Sequence, residues 1–200
     1  MSAACPVVIA GVGGQGVISL ARLLGSAAVA AGLDARVGQI YGLSQRGGSV
    51  EATVRFGRGS TSFIARGEAE VVVGLEPLEA ERAIPKMSTD TTVVVNRTPI
   101  VPVGLTLSGE TYPALSSIVE RIGAVAGSVR LIDGTALALE AGNLKLLNTV
   151  MIGVLAGGGL LPIPADYLET EIDRANPGDR LVASRRAFQL GRELGKVACP

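Results

Sequence analysis

The residues best suited to chemistry come first in the chain. Gly11-Val12-Gly13-Gly14-Gln15-Gly16 satisfies the G-x-G-x-x-G pattern, directly after an apolar run and directly before apolar residues at helical spacing. Glycines in such a turn accept positive φ and let backbone N–H groups approach a phosphate, while the following helix start favours negative charge. A turn chosen only for close packing of helix on sheet is the other reading. A second glycine-containing, donor-rich segment, Tyr41-Gly42-Leu43-Ser44-Gln45-Arg46-Gly47-Gly48-Ser49, follows at the end of the next apolar run. Arg46 among these neighbours suits a phosphate, a carboxylate or a partner's acidic side chain. The candidate binding set is therefore Gly11, Gly13, Gly14, Gln15 and Gly16 with Ser44, Gln45, Arg46, Gly47, Gly48 and Ser49.

A dinucleotide enzyme needs an acid at the end of the second strand to hold a ribose, and Gln39-Ile40-Tyr41-Gly42 offers none. The first turn also lacks the Gly-Lys-Ser/Thr ending of a P-loop. Histidine is absent and only Cys5 and Cys199 carry thiols, so neither an iron–sulfur nor a tetrahedral zinc site can be assembled from this chain alone. Both cysteines read as reduced thiols of a cytoplasmic protein. Glu76, Asp133 and Asn148 are lesser candidates: Glu76 to cap a helix at Pro77, Asp133 at the end of the last strand, and Asn148 as a core amide or a bridge to a loop. No nucleophile with base and orienting partner is found, and no catalytic residue or metal ligand is assigned.

The elements that position these residues follow from hydrophobic patterning. Pro6 to Ala10, Ala35 to Ile40, Val71 to Leu75, Thr92 to Val95 and Val129 to Ile132 read as strands. Gly16 to Ala31, Pro77 to Ile84 and Ala114 to Ala126 read as helices between them, with a loop over Pro99 to Gly109. Val50, Ala52, Val54 and Phe56 alternate with Glu51, Thr53 and Arg55, which predicts a half-buried antiparallel strand at a sheet edge, with Phe63 opening its hairpin partner. From Gly134 onward the pattern is helical, over Asn143 to Leu155, Ala165 to Arg174 and Leu181 to Leu194. The fold class is α/β: a Rossmann-like, mostly parallel sheet with helices on both faces and a helical C-terminal segment, in one domain over residues 1–200.

Composition agrees. The chain is 48% hydrophobic with 27 glycines, and its 18 basic and 18 acidic residues cancel. No basic stripe tracks a nucleic acid backbone, and the apolar stretch Val150 to Leu161 is too short and too glycine-rich to span a membrane. High mean hydropathy without such a span implies a buried partner interface.

The G-V-G-G-Q-G-V turn, the Y-G-L-S-Q-R-G-G-S-V segment and the late L-N-T-V-M-I-G run together resemble the gamma subunit of the 2-oxoacid:ferredoxin oxidoreductases, most of all the small subunit of the indolepyruvate type. The resemblance spans nearly the whole chain, through Ala187, Phe188, Leu190 and Gly191. It implies oxidative decarboxylation of a 2-oxoacid with coenzyme A to acyl-CoA, carbon dioxide and electrons for ferredoxin or a related acceptor. It also implies that thiamine diphosphate, magnesium and [4Fe-4S] clusters sit in large partner subunits, with coenzyme A at an edge shared with them. Family members often read His-Gly-Met where this chain has Tyr41-Gly42-Leu43, which implies another aryl 2-oxoacid such as phenylglyoxylate as an alternative to indolepyruvate. A stand-alone NAD-type dehydrogenase and a purely structural assembly subunit are the competing readings.

Overall fold

The computed structural model describes residues 4–41, 48–57, 61–102 and 111–197. Six strands form one sheet: β1 (Cys5–Val12), β2 (Ala35–Tyr41), β3 (Ser49–Phe56), β4 (Val71–Gly74), β5 (Thr92–Asn96) and β6 (Ser128–Ile132). Their spatial order is β2-β3-β1-β4-β5-β6. β1, β4, β5 and β6 pair in parallel, and β3 runs antiparallel to both its neighbours. Seven α-helices are described: α1 (Val17–Ala30), α2 (Pro77–Arg82), α3 (Leu115–Gly123), α4 (Gly134–Glu140), α5 (Leu147–Gly157), α6 (Ala165–Ala175) and α7 (Arg180–Val197). Apart from a hairpin partner opening at Phe63, every expected strand and helix is present within a few residues of its predicted ends.

The alternation of β1 distributes its side chains to two cores. Val7 and Ile9 face a larger core shared with α1, α5, α6 and α7, whereas Val8 and Ala10 face a smaller one shared with α2 and α3. Both faces are dry, so the strands read as continuous apolar runs. Cys5 opens β1 as a buried free thiol, and burial, with the Glu70 carboxylate adding, pushes it up to about 12. The helical C-terminal segment is locked where α5 crosses α7. A Cβ on Gly153, Gly157, Gly191 or Gly195 would lie 2.1–2.3 Å from a backbone oxygen of the facing helix, so only hydrogen fits at each.

Two expectations about β3 are corrected. It is not an edge strand: it lies inside the sheet, between β2 and β1, in register from Cys5 against Phe56 to Val12 against Ser49. Its polar residues are not solvated either, since Thr53 and Arg55 are 4% and 9% exposed. The physical reason lies in the segment after it. Arg55 donates to the Phe63 carbonyl at 2.6 Å and pairs with Glu68 at 2.8 Å, while Glu68 also accepts from the Ala65 amide at 2.7 Å. These bonds hold an irregular 61–68 segment against the sheet, and Phe63 begins no strand there. A buried guanidinium demands several acceptors, which a coil carbonyl and a carboxylate meet more easily than a sheet ladder.

Candidate functional site

The first turn begins later than its sequence pattern suggests. β1 continues through Gly11 and Val12, and Gly11 pairs with Val50 of β3. A Cβ at Gly11 would meet Val17 Cγ2 at 2.8 Å, Gln15 Oε1 at 2.9 Å and Leu75 Cβ at 3.2 Å, so this glycine serves close packing of α1 and β4. Gly14 and Gly16 hold positive φ, at 105° and 80°, where other residues are strained. Gly16 is the N-cap of α1, supplies no side-chain cap, and no acid lies in the first helical turn.

Gln15 is the central side chain of the turn. Its Oε1 accepts from the Val12 amide at 2.7 Å and its Nε2 donates to the Leu75 carbonyl at 2.9 Å. The chain leaves β1 for a helix on one face and β4 for a helix on the other. The gap between those two strand ends is the switch point at which open α/β sheets bind ligands. Here Gln15 spans it. The Leu75 carbonyl also accepts from Asn96 Nδ2 at 3.2 Å, and Asn96 Oδ1 accepts from the Thr135 amide at 3.2 Å. One chain of amides thus runs across the carboxyl ends of β1, β4 and β5 to the start of α4.

Asn148, in the first turn of α5, joins this edge from the other side. Its Nδ2 donates to the Gly16 carbonyl at 3.1 Å, and a Cβ at Gly16 would lie 2.4 Å from that nitrogen. Its Oδ1 is buried and takes no hydrogen bond among the described residues. Asn148 is therefore the bridge to a loop that its position in an apolar helix left open. Gln15, Asn96, Thr135 and Asn148 line a cleft of about 1010 Å³ with α1 and the end of α6. That is the size of a cofactor site, for which roughly 300–1,000 Å³ is usual.

Of the second predicted loop, Ser44, Gln45, Arg46 and Gly47 lie outside the described residues. Gly48 and Ser49 are described. The Gly48 carbonyl accepts from the Gly13 amide at 2.8 Å, so the end of that loop is bonded to the first turn. Residues the sequence left unassigned complete the cleft: Arg22 on α1, Lys145 before α5, and Arg174 near the end of α6, the last paired to Glu171 at 2.8 Å. Arg22 and Ser26 follow Ser19 at helical spacing, the one sequence signal that could have found them.

Glu76 caps α2, accepting from the Glu79 amide at 3.0 Å, as expected. It does more: fully buried, it also accepts from the Ile100 amide at 3.1 Å and the Tyr112 hydroxyl at 2.5 Å. Burial, then the Glu76 carboxylate, pushes the Tyr112 hydroxyl well up, so it stays a proton donor. Glu79 is 2% exposed, and burial raises its carboxyl above the ordinary range against the opposing pull of Ser49 and Arg82. Asp133 caps α4 by accepting from the Ala136 amide at 3.1 Å. Among the described residues, no group of three or more His, Cys, Asp or Glu converges as metal ligands, and no helix is long and apolar enough to cross a membrane.

Comparisons with known proteins accord with this architecture. Residues 6–194 match the family model described as pyruvate ferredoxin/flavodoxin oxidoreductase. The chain is 37% identical to the indolepyruvate oxidoreductase subunit IorB of Methanothermobacter thermautotrophicus, covering 92% of this chain and 94% of that one. It is 39% identical to the subunit of the same name from Thermococcus kodakarensis, covering 95% of each. Among solved structures, pyruvate oxidoreductase subunit PORC of Thermotoga maritima superimposes with a TM-score of 0.72 at 22% identity, covering 96% and 97% of the two chains. The 2-oxoglutarate:ferredoxin oxidoreductase of Magnetococcus marinus does so with a TM-score of 0.75 at 19% identity, over 98% of this chain and 32% of that longer one. With a family model matched over almost its whole length and relatives above 30% identity, this chain belongs to the pyruvate ferredoxin/flavodoxin oxidoreductase family and is a subunit of a 2-oxoacid:ferredoxin oxidoreductase.

Proposed function

We propose that this chain is the small subunit of an aryl 2-oxoacid oxidoreductase of the indolepyruvate type. The complex converts a 2-oxoacid and coenzyme A to acyl-CoA and carbon dioxide and passes two electrons to ferredoxin or a related acceptor. The observation that carries this reading is the 37% and 39% identity to two IorB subunits over more than nine-tenths of each chain.

The donor set of the chain supports a division of labour. Two cysteines and no histidine cannot ligate a [4Fe-4S] cluster, so the clusters belong to partner subunits, and thiamine diphosphate with its magnesium is assigned there with them. What this chain contributes is an edge: the amide chain from Gln15 to Thr135, the first turn, and Gly48, whose carbonyl accepts from that turn. Coenzyme A belongs at this edge, shared with the large subunit. A stand-alone NAD enzyme is disfavoured because β2 ends in Gln39-Ile40-Tyr41, with no acid for a ribose.

Co-expression with a large thiamine-binding subunit tests the reading. Co-purification and coenzyme A-dependent reduction of ferredoxin by indolepyruvate or phenylglyoxylate, faster than by pyruvate, is expected. Failure to associate, or a preference for pyruvate, overturns it.

A further inference from the structure

Two consecutive residues at the end of β4 hold the chain that follows β5. The Leu75 carbonyl accepts from Asn96 Nδ2 at 3.2 Å, and Glu76 Oε1 accepts from the Ile100 amide at 3.1 Å. Asn96, Thr98 and Ile100 all line the cleft, so this short stretch forms one of its walls. Both ends of the wall are tied to buried residues, and Thr98 stands between the ties.

The Glu76 Oε1 that takes the Ile100 amide also accepts from the Tyr112 hydroxyl at 2.5 Å, and that hydroxyl accepts from the Leu78 amide at 3.1 Å. Tyr112 packs against the smaller core, with α2 and α3. One carboxylate oxygen therefore ties the cleft wall to the other face of the sheet. Its partner Oε2 takes the Glu79 amide at 3.0 Å, and that bond alone would suffice to cap α2. A cap needs no burial, yet Glu76 is 0% exposed. Burying a carboxylate is costly unless several donors offset the lost water, and here two of the three donors lie outside the helix it caps.

We propose that Glu76 is a positioning residue for the use of coenzyme A: without touching the ligand, it holds the Thr98 to Ile100 wall of the cleft where binding needs it. The inference rests on the reading above that coenzyme A is held at this edge. The carboxylate matters because both of its ends accept, whereas an amide accepts at one end only. A glutamine that keeps the Glu79 bond turns its NH2 toward the Ile100 N–H, and one that keeps the Ile100 bond turns it toward the Glu79 N–H. Either way a buried donor loses its acceptor. The wall then shifts, while the 2-oxoacid, whose chemistry lies in partner subunits, is untouched.

Steady-state kinetics of the assembled complex carrying Glu76→Gln, with coenzyme A and the 2-oxoacid varied in turn, test this. The KM for coenzyme A should rise about tenfold, with kcat and the KM for the 2-oxoacid held within about twofold. A residue that serves folding alone gives the other pattern: fewer competent complexes, a lower kcat and both KM values unchanged, which overturns the proposal. A rise in the KM for the 2-oxoacid in place of coenzyme A overturns it too. Should Glu76→Gln fail to assemble, Tyr112→Phe keeps the carboxylate and removes one of its donors. It should raise the KM for coenzyme A by about twofold or more, and an unchanged value overturns the proposal. Unmodified complex that oxidises an aryl 2-oxoacid with no need of coenzyme A defeats the functional reading and this inference together, whereas a coenzyme A-dependent complex indifferent to both substitutions defeats the inference alone.

Discussion

Gln15 and Asn96 donate to one oxygen, the Leu75 carbonyl, at 2.9 and 3.2 Å, from opposite sides of the end of β4. The shared acceptor makes the loop after β1 and the end of β5 parts of one rigid edge. Gln15→Ala removes the partner of the Val12 amide as well as one donor to Leu75. The expected loss is about 1–3 kcal/mol, the cost of leaving a part-buried polar group unpaired. Chemical denaturation of the isolated chain measures it, and an unchanged midpoint would show that water replaces the glutamine.

Gly14 and Gly16 both hold positive φ, but only Gly16 has a neighbour in the way. Gly14→Ala should cost only the backbone strain, about 1–2 kcal/mol. Gly16→Ala should cost more, because its Cβ displaces the Asn148 amide. In the Gly16→Ala, Asn148→Ala double variant the costs should fall short of additive by roughly 0.5 kcal/mol or more. Additive losses in a double-mutant cycle would contradict the contact.

The crossing of α5 and α7 predicts the largest single loss. A Cβ at Gly157 or Gly191 would sit 2.1 Å from the carbonyl oxygen of Arg192 or Val150. The helices must separate, which leaves voids along the interface, so Gly191→Ala should destabilise by at least about 3 kcal/mol, beyond the usual range for a point change. A drop in melting temperature of less than about 4 °C would refute it.

Glu79 supplies a pH signature. Its carboxyl is raised in the folded chain from the ordinary 4.5, chiefly by burial. The folded state therefore holds this proton more tightly than the unfolded state. The site contributes stability in full below the unfolded value, and that stability is lost as pH rises through the folded one. Glu79→Gln should stabilise the chain at pH 7, with the gain shrinking on acidification. A gain that grows toward acid pH would reverse the assignment.

Local pattern carried most of the fold into the sequence. Val7 to Ala10 and Val71 to Val73 are apolar on both faces, Pro77 marks the first turn of α2, and the glycine-rich turn precedes α1; each is a short-range signal. The place of β3 was not legible, because alternation reports on one strand and its faces, whereas burial of Arg55 depends on Phe63 and Glu68 arriving from a later segment. The site divided in the same way. Gly13 to Gly16 stand out by type and spacing, but Arg22, Lys145 and Arg174 are ordinary surface cations until the helices bring them to one cleft. Gln15 was legible as a member of the turn and not as its internal brace.

β2 touches the sheet through β3 alone, while β3 also pairs along its full length with β1. Opening is therefore hierarchical. Every excursion that frees β3 from β1 also cuts the outer strand away from the sheet, but β2 can detach without disturbing anything inward of β3. In amide exchange the alternate amides of Val50 to Phe56 that face β1 should be the slower set, and those that face β2, with the amides of β2 that face β3, the faster, so the first strand to fray is one that the chain makes early.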